Sequence, residues 1–193
     1  SEIGNVSIAI TEHNFSPKLK ASEIYGKYCV QFVFFKSNEI GLKALDWWRL
    51  KCIDWCYAKL EEDRYGDQKY LESFKHLFND VCIIQELGCG IAPWNIDDFE
   101  GIENNRSEGL ILSHKDGRKG KLIFYHYQGL KFTEETTFIN GFASPAPIKS
   151  EFLNEIYKPY IIYLLIKKYN LQGLEWTSKQ IVFSRSLSVK MGL

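Results

Sequence analysis

Two short segments, far apart in the chain, carry the residue types best suited to chemistry. The first is Asp67–Gln68, which directly follows Gly66. From the start of a helix, a carboxylate and an amide can point into a cleft and hydrogen-bond the hydroxyl groups of a ligand. A simpler role for Asp67 is to cap that helix, because Asp is a preferred N-cap residue.

The second segment is centred on His126, which lies between Tyr125 and Tyr127 and is followed by Gly129 and Lys131. A histidine at the end of a strand can ligate a divalent metal ion. Gly129 lets the backbone approach a phosphate, and Lys131 supplies positive charge. The alternative is a hydrogen-bonded structural histidine. By sequence, His13 and His76 have no chemical partners, and His114 is predicted to be solvated.

Composition and motifs exclude several classes of function. The chain has 24 basic and 24 acidic residues, so it lacks the basic excess of a dedicated nucleic-acid binder. It contains neither a glycine-rich phosphate loop nor a hydrolase Gly-x-Ser-x-Gly motif. The five cysteines lack the paired spacing of a structural zinc site, which favours reduced thiols. The apolar run from Tyr160 to Ile166 is far shorter than the ~20 residues of a membrane-spanning helix.

The first half of the chain predicts an α/β fold. Strands are predicted at Val6–Thr11, Cys29–Phe35 and Val81–Gln85. Because Cys29–Phe35 is apolar on both faces, we expect it in the middle of a sheet covered on both sides. Ser16 is predicted to cap a helix that begins at Pro17.

Two further helices are predicted in this half. The first opens at Ser37–Glu39 and ends in the charged segment Glu61–Gly66, and its apolar face is expected to contain Leu45, Trp48, Cys52, Trp55 and Cys56. The second runs from Asp67 to Leu77 or Phe78, with Tyr70, Leu71, Phe74 and Phe78 facing inward. The loop Leu87–Asn95 contains two glycines and a proline, so it cannot be regular.

The second half begins with a β-hairpin around Lys115–Gly117, which places His126 near the end of its second strand. Phe132–Pro147 is predicted to be loop or linker. A helix is expected over Glu151–Tyr169, with a kink near Pro159 and an apolar face that contains Phe152, Ile156, Tyr160, Tyr163 and Leu164. The predicted domains are residues 1–140 and a linker with a helical extension, residues 141–193.

Several segments, taken in order, resemble a bacterial glycosyltransferase family with a GT-A (nucleotide-diphospho-sugar transferase) fold. The resemblance covers residues 5–133 and rests on His13–Pro17, Tyr28–Val33, Trp47–Cys52, Gly66–Leu71, Ala92–Asn95 and Leu122–Leu130. It implies a partial GT-A-like mixed sheet flanked by helices.

More distantly, these segments resemble the family-8 retaining glycosyltransferases. Their Asp-Gln motif is similar to Asp67–Gln68, which implies contacts to the sugar or the acceptor, and a downstream Asn is similar to Asn95. Their His-x-x-Gly-x-x-Lys motif is similar to His126 and Gly129, which implies that His126 ligates manganese or magnesium. Lys131 stands one position earlier than that motif requires.

The resemblance also implies what this chain lacks. Such enzymes hold their metal with an Asp-x-Asp motif, which is absent here, and one histidine cannot hold a hard cation by itself. The nucleotide-binding half of the fold is also missing. We therefore expect the acceptor-side half of a transferase, inactive alone.

The expected partners are a nucleotide-sugar donor and a saccharide or lipid-linked acceptor, in the synthesis of cell-surface polysaccharide. The expected location is the cytoplasm, including the inner face of the membrane. Trp94 would stack on a sugar, and Asp67–Gln68 and His126 would open onto one cleft. The alternative is a non-catalytic carbohydrate- or protein-binding domain.

Overall fold

The computed structural model describes residues 3–132, 138–140 and 147–171 of the 193-residue chain. These residues form a mixed α/β fold, which confirms the predicted class. The strands are β1 Ile8–Glu12, β2 Tyr28–Phe35, β3 Val81–Ile84, β4 Phe99–Asn105, β5 Gly109–His114, β6 Lys119–Lys121, β7 Leu130–Phe132 and β8 Phe138–Asn140. The α-helices are α1 Glu39–Asp54, α2 Phe74–Leu77, α3 Ser150–Phe152 and α4 Lys158–Leu171.

The first sheet has the strand order β2-β1-β3, with β1 antiparallel to β2 and parallel to β3. Ile8 and Ile10 of β1 are fully buried. The prediction that Cys29–Phe35 occupies the middle of a sheet is wrong, because β2 is an edge strand of this sheet. Apolar residues on both faces of β2 indicate contacts on both faces, although residues 30–35 are only partly buried. They do not indicate how many strands are hydrogen-bonded to β2.

Helix α1 begins where the sequence predicts. The Asn38 side chain caps it by accepting a hydrogen bond of 2.9 Å from the Gly41 nitrogen. The predicted end is wrong, because the helix ends at Asp54, before Trp55 and Cys56. The predicted apolar face is wrong at Leu45, which is exposed, and confirmed at Trp48, which packs against the core. The buried side also contains Ala44, and Trp47 packs against the same core.

The segment after α1 is helical only in short turns. A 3₁₀ helix over Lys69–Ser73 leads into α2. The inward-facing residues of the sequence prediction are confirmed, since Tyr70, Leu71 and Phe74 are buried and Phe78 packs against their cluster. Another 3₁₀ helix spans Pro17–Tyr25, where an α-helical start was expected. Ser16 precedes it without forming a side-chain cap.

The second sheet is the antiparallel meander β4-β5-β6. Its tight turn at Lys115–Gly117 confirms the predicted hairpin, and Gly117 has the positive φ of 89° that such a turn requires. The second strand ends at Lys121, so the placement of His126 at a strand end is wrong. Tyr125 instead forms an isolated parallel bridge with Ile91, which fixes the backbone next to His126.

The C-terminal helical segment contains a π-helical turn, Leu153–Tyr157, between α3 and α4. It lies just before Pro159, where we expected a kink. A π turn inserts one residue, which rotates the following apolar face by one position. The face therefore continues from Phe152 and Ile156 to Tyr157, Ile161 and Leu165, whereas Tyr163 is exposed.

This helical segment shares a hydrophobic core with the second sheet, through contacts to residues such as Phe99, Ile102 and Leu112. The predicted domain boundary after residue 140 stays a prediction. The prediction of loop or linker over Phe132–Pro147 is wrong at Phe138–Asn140, which form β8 and pair with β7. Most of the rest of this segment and all residues after 171 lie outside the described part of the chain. Within the described part, no helix is both long enough and apolar enough to cross a membrane.

Candidate functional site

The candidate site lies at the edge of the first sheet where the two parallel strands end. β1 ends at Glu12 and β3 ends at Ile84, and the loops that follow them, residues 13–16 and 85–95, lie at the same edge. In α/β sheets, ligands bind outside the carboxyl ends of parallel strands, because the loops there meet around a crevice. This position therefore defines the first place to look for binding groups.

Asn95 joins these two loops. Its Oδ1 accepts a hydrogen bond of 2.9 Å from the Ala92 nitrogen, and its Nδ2 donates to the carbonyl oxygens of His13 and Gly90, each at 3.0 Å. Asn95 is only 3% exposed. Because all three bonds are internal, Asn95 shapes the loops, and its side chain has little capacity left for a sugar.

Trp94 reinforces the same junction. Its Nε1 donates a hydrogen bond of 2.7 Å to the His13 carbonyl oxygen, and its carbonyl oxygen accepts one of 3.1 Å from the Ser16 nitrogen. The residue is 4% exposed. In this conformation the indole offers almost no surface to a ligand, so the stacking role predicted for Trp94 would require the loop to open.

Four rings pack together here and form what we call the aromatic cluster: His13, Phe15, Trp94 and His126. The His13 and Phe15 rings are stacked with centroids 4.6 Å apart, and Trp94 lies 5.2 Å from His13 and 5.3 Å from His126. The sequence suggested no chemical partners for His13. The structure places it in direct contact with the loop that carries two predicted site residues.

Burial controls the charge of both histidines in the aromatic cluster. It lowers the pKa of His13 from 6.5 to about 4, with a smaller contribution from the nearby His126. Burial also lowers the pKa of the half-buried His126, against a hydrogen bond to the Gln128 side chain that raises it. Both imidazoles are therefore neutral at pH 7, and the neutral imidazole is the form that can ligate a metal ion.

The backbone next to His126 is fixed by the β3–β4 loop. The His126 nitrogen donates a hydrogen bond of 2.7 Å to the Ile91 carbonyl oxygen, and the Ile123 nitrogen donates one of 2.9 Å to Gly88. A side chain at position 88 would collide with the Lys121 carbonyl oxygen, so only glycine permits this close approach. His126 is thus held beside Trp94 by backbone contacts on both sides.

The acid–amide pair lies next to this region without touching His126. The Gln68 side chain donates a hydrogen bond of 2.9 Å to the Tyr25 carbonyl oxygen and packs against Gly26. The next residue, Lys27, accepts a hydrogen bond of 3.0 Å from the His13 nitrogen through its carbonyl oxygen. Gln68 is therefore connected to the aromatic cluster through one short segment, residues 25–27.

Asp67 is held through its backbone, since its carbonyl oxygen accepts a hydrogen bond of 2.9 Å from Trp48 Nε1. Its negative charge acts on the thiol of Cys29, whose pKa is raised to about 11, mainly by burial. Cys29 packs against Trp94. The Asp67 side chain forms no hydrogen bond or ion pair within the described ranges, so its oxygens are available to a ligand.

Gly129 and Lys131 follow His126 in the chain. Gly129 has a positive φ of 78° in a turn closed by a 3.1 Å hydrogen bond from the Leu130 nitrogen to the Tyr127 carbonyl oxygen. Lys131 is exposed on β7. Within the part of the chain that the structure covers, no contact joins Lys131 to the aromatic cluster, and its predicted contact with a diphosphate stays a prediction.

A cavity of about 270 Å³ opens at this edge of the sheet, next to the aromatic cluster. Phe15 and Asn95 line it from the two loops, and His114 and Arg118 line it from the hairpin. Its volume is just below the roughly 300–1,000 Å³ of typical small-molecule sites, which suits a group as small as one sugar ring. Asp67, Gln68 and His126 do not line this cavity, so the single shared cleft that we predicted is not formed by it.

The metal site implied by the resemblance is not complete. Among residues 3–132, 138–140 and 147–171, no group of three or more His, Cys, Asp or Glu side chains is arranged to hold a metal ion. No disulfide joins the five cysteines, all of which lie in these ranges. His126 could supply one ligand, and the remaining ligands would have to come from elsewhere. The assignment of His126 to a manganese or magnesium ion stays a prediction.

Sequence reasoning did not select Asn14, Asp98 or His114, which line the cavity. The prediction that His114 is solvated is wrong, because only 21% of its side chain is exposed and its Nδ1 lies 2.8 Å from Asp116 Oδ1. Asn14 adopts a left-handed φ of 49°, which is uncommon for a residue other than glycine. Their proximity depends on tertiary contacts, so no local pattern signals it.

Comparison with known proteins identifies two relatives. The chain is 29% identical over 175 residues to the uncharacterized protein YfnD of Bacillus subtilis (strain 168), covering 85% of this chain and 51% of YfnD. It is 33% identical over 113 residues to the uncharacterized protein YfnF of the same strain, covering 56% of this chain and 34% of YfnF. The chain thus spans about half and about a third of the length of these relatives.

No known family profile matches the chain, and no solved structure matches it. The two relatives are named only as uncharacterized proteins, so they assign no activity.

Proposed function

We propose that this chain is the acceptor-side part of a GT-A-like glycosyltransferase, which moves a sugar from a nucleotide-diphosphate donor to a saccharide or lipid-linked acceptor. The proposal is supported chiefly by one observation. The loops after the parallel strands β1 and β3 bring His13, Trp94 and Asn95 together beside His126, and a cavity of sugar-ring size opens at the same edge.

In this proposal the residues have two kinds of role. Asp67 would hydrogen-bond a hydroxyl group of the sugar or acceptor, since its carboxylate has no internal partner among the described residues. Gln68, Trp94 and Asn95 are positioning residues, because their hydrogen-bonding groups already hold segment 25–27 and the two loops in place. His126 would offer its neutral, partly buried imidazole to the diphosphate or its metal ion.

The remaining parts of the proposal depend on residues outside those described. A divalent metal ion, bound with help from further ligands, would offset the charge that builds on a leaving diphosphate. We place the enzyme in the cytoplasm or at the inner face of the membrane, where it would contribute to cell-surface polysaccharide. Gly129 and Lys131 would lie near the diphosphate.

The test is a transfer assay on the full-length protein that contains this chain. Release of nucleoside diphosphate is measured with a panel of nucleotide sugars, with and without manganese. We expect Asp67→Asn and His126→Ala each to lower kcat/KM by about tenfold or more, the loss expected when a hydrogen bond to a charged or reacting group is removed. Asp63→Asn is the matched control, since Asp63 is an exposed carboxylate four residues before Asp67.

If Asp67→Asn and His126→Ala both retain the wild-type rate, these site assignments are wrong. If no nucleotide sugar is turned over but saccharides bind, the alternative of a non-catalytic carbohydrate-binding domain is favoured. This alternative requires no metal ion, and the described residues contain no group of three or more His, Cys, Asp or Glu side chains that could hold one.

A further inference from the structure

We propose that the cavity next to the aromatic cluster binds a neutral saccharide, and that His114, whose Nδ1 is held by Asp116, hydrogen-bonds one of its hydroxyl groups through Nε2. This inference rests on the proposed function and names the class of acceptor. It also separates the acceptor from the donor diphosphate, which would have to bind elsewhere.

The charges around the cavity disfavour an anionic ligand. Its two cationic side chains are already paired, Lys20 with Glu23 at 2.6 Å and Arg118 with Asp116 at 2.8 Å. The carboxylates of Glu86 and Asp98 also line the cavity, and neither forms an ion pair with any residue that the structure describes. A phosphate would therefore meet uncompensated negative charge, whereas a sugar can donate its hydroxyl hydrogens to both carboxylates.

Asp98 is suited to accept such hydrogen bonds. Burial raises the pKa of its carboxyl group, and the nearby His114 and Lys115 offset this only in part. A partly buried carboxylate without a hydrogen-bond donor is unfavourable, and a ligand hydroxyl group would supply one.

His114 presents one ring nitrogen to the same ligand. Its Nδ1 lies 2.8 Å from Asp116 Oδ1 and accepts a hydrogen bond of 3.2 Å from the Asp116 nitrogen. Asp116 therefore occupies Nδ1, and Nε2 is the ring nitrogen left for a ligand. A sugar hydroxyl group can both donate and accept, so it can hydrogen-bond Nε2 in either protonation state of the ring.

The walls of the cavity also provide apolar surface. Phe15 lines one side, and Phe99 lines another, with its ring 5.1 Å from the His114 ring at a steep angle. Aromatic side chains next to carboxylate and amide groups suit a sugar ring, which has apolar C–H faces and a polar rim. Asn14 and Gln85 bring side-chain amides to the same cavity.

The first experiment is a nitrogen-detected NMR titration of the full 193-residue chain. Glucose, galactose and N-acetylglucosamine serve as neutral probes, and glucose 6-phosphate serves as the charged counterpart of glucose. We expect at least one neutral sugar to shift the His114 Nε2 resonance, and we expect glucose 6-phosphate to bind at least tenfold more weakly than glucose. No shift with any neutral sugar, or equal binding of the phosphate, would overturn the proposal.

Two variants test the group assignments. His114→Phe should lower the affinity for the neutral sugar that binds best by at least tenfold. His76→Phe, at an exposed position on α2, should leave this affinity unchanged. Should His114→Phe fail to fold, His114→Gln keeps a polar side chain at this position and should weaken binding without unfolding. Unchanged affinity in a folded His114 variant contradicts the role assigned to it.

A third variant tests the charge argument. Asp98→Asn should bring the affinity for glucose 6-phosphate closer to that for glucose, because one of the two unpaired carboxylates is removed. The binding experiments and the transfer assay can fail separately. Sugar binding at the cavity without turnover would contradict the proposed glycosyltransferase activity but support the cavity assignment. Turnover without sugar binding at the cavity would support the activity and contradict the cavity assignment.

Discussion

Replacing Asn95 with alanine should lower the free energy of unfolding by about 3–5 kcal/mol. The side chain makes three hydrogen bonds and is 3% exposed. Its removal would leave the Ala92 nitrogen and the Gly90 carbonyl oxygen buried without this partner, at a cost of about 1–3 kcal/mol each. Urea denaturation followed by circular dichroism would measure the change.

Asn104→Ala is the matched control for this experiment. Asn104 lies on the exposed side of β4, and its Nδ2 donates one hydrogen bond of 3.0 Å to Glu155. We expect a loss within about 0.5 kcal/mol, as for most surface substitutions. A loss below about 1 kcal/mol for Asn95→Ala would show that the two loops do not depend on this side chain.

The second large effect is a loss of stability on acidification, caused by His13. Its pKa is about 4 in the folded protein, compared with an ordinary value of 6.5. As the pH falls below 6.5, the unfolded chain takes up a proton that the folded chain does not, so folding is progressively disfavoured down to about pH 4. The difference between the two pKa values corresponds to roughly 3 kcal/mol of stability present at pH 7 and lost at pH 4.

His13→Phe tests this assignment while preserving the stacked ring. The Lys27 carbonyl oxygen lies 3.3 Å from the His13 Nδ1. In the variant, this oxygen would still accept the hydrogen bond from the backbone nitrogen of residue 13. We expect the variant to lose much less stability between pH 7 and pH 4 than the wild type, and His76→Phe to behave like the wild type. Parallel pH profiles for wild type and His13→Phe would exclude His13 as the cause.

Local patterns predicted several elements of the fold correctly. The strands β1 and β3, the start of α1 at Asn38 and the turn at Lys115–Gly117 each depend on neighbouring residues, through alternation, capping or turn chemistry. The position of β2 in its sheet could not be predicted, because it depends on which strands pair. The shifted face of the C-terminal helix depends on the π turn before Pro159, which the 3.6-residue period does not anticipate.

In the candidate site too, local sequence sets some features and tertiary contacts set the others. The sequence by itself determined that residues 87–95 form an irregular loop, that Gly129 allows an unusual backbone conformation and that basic residues do not outnumber acidic ones. Only the tertiary structure decided that Trp94 is buried beside His13 and His126, and that His114 lines a cavity with Asp98. These contacts join residues distant in the chain, and burial, which sets their charge and availability, arises only when the loops after two parallel strands meet.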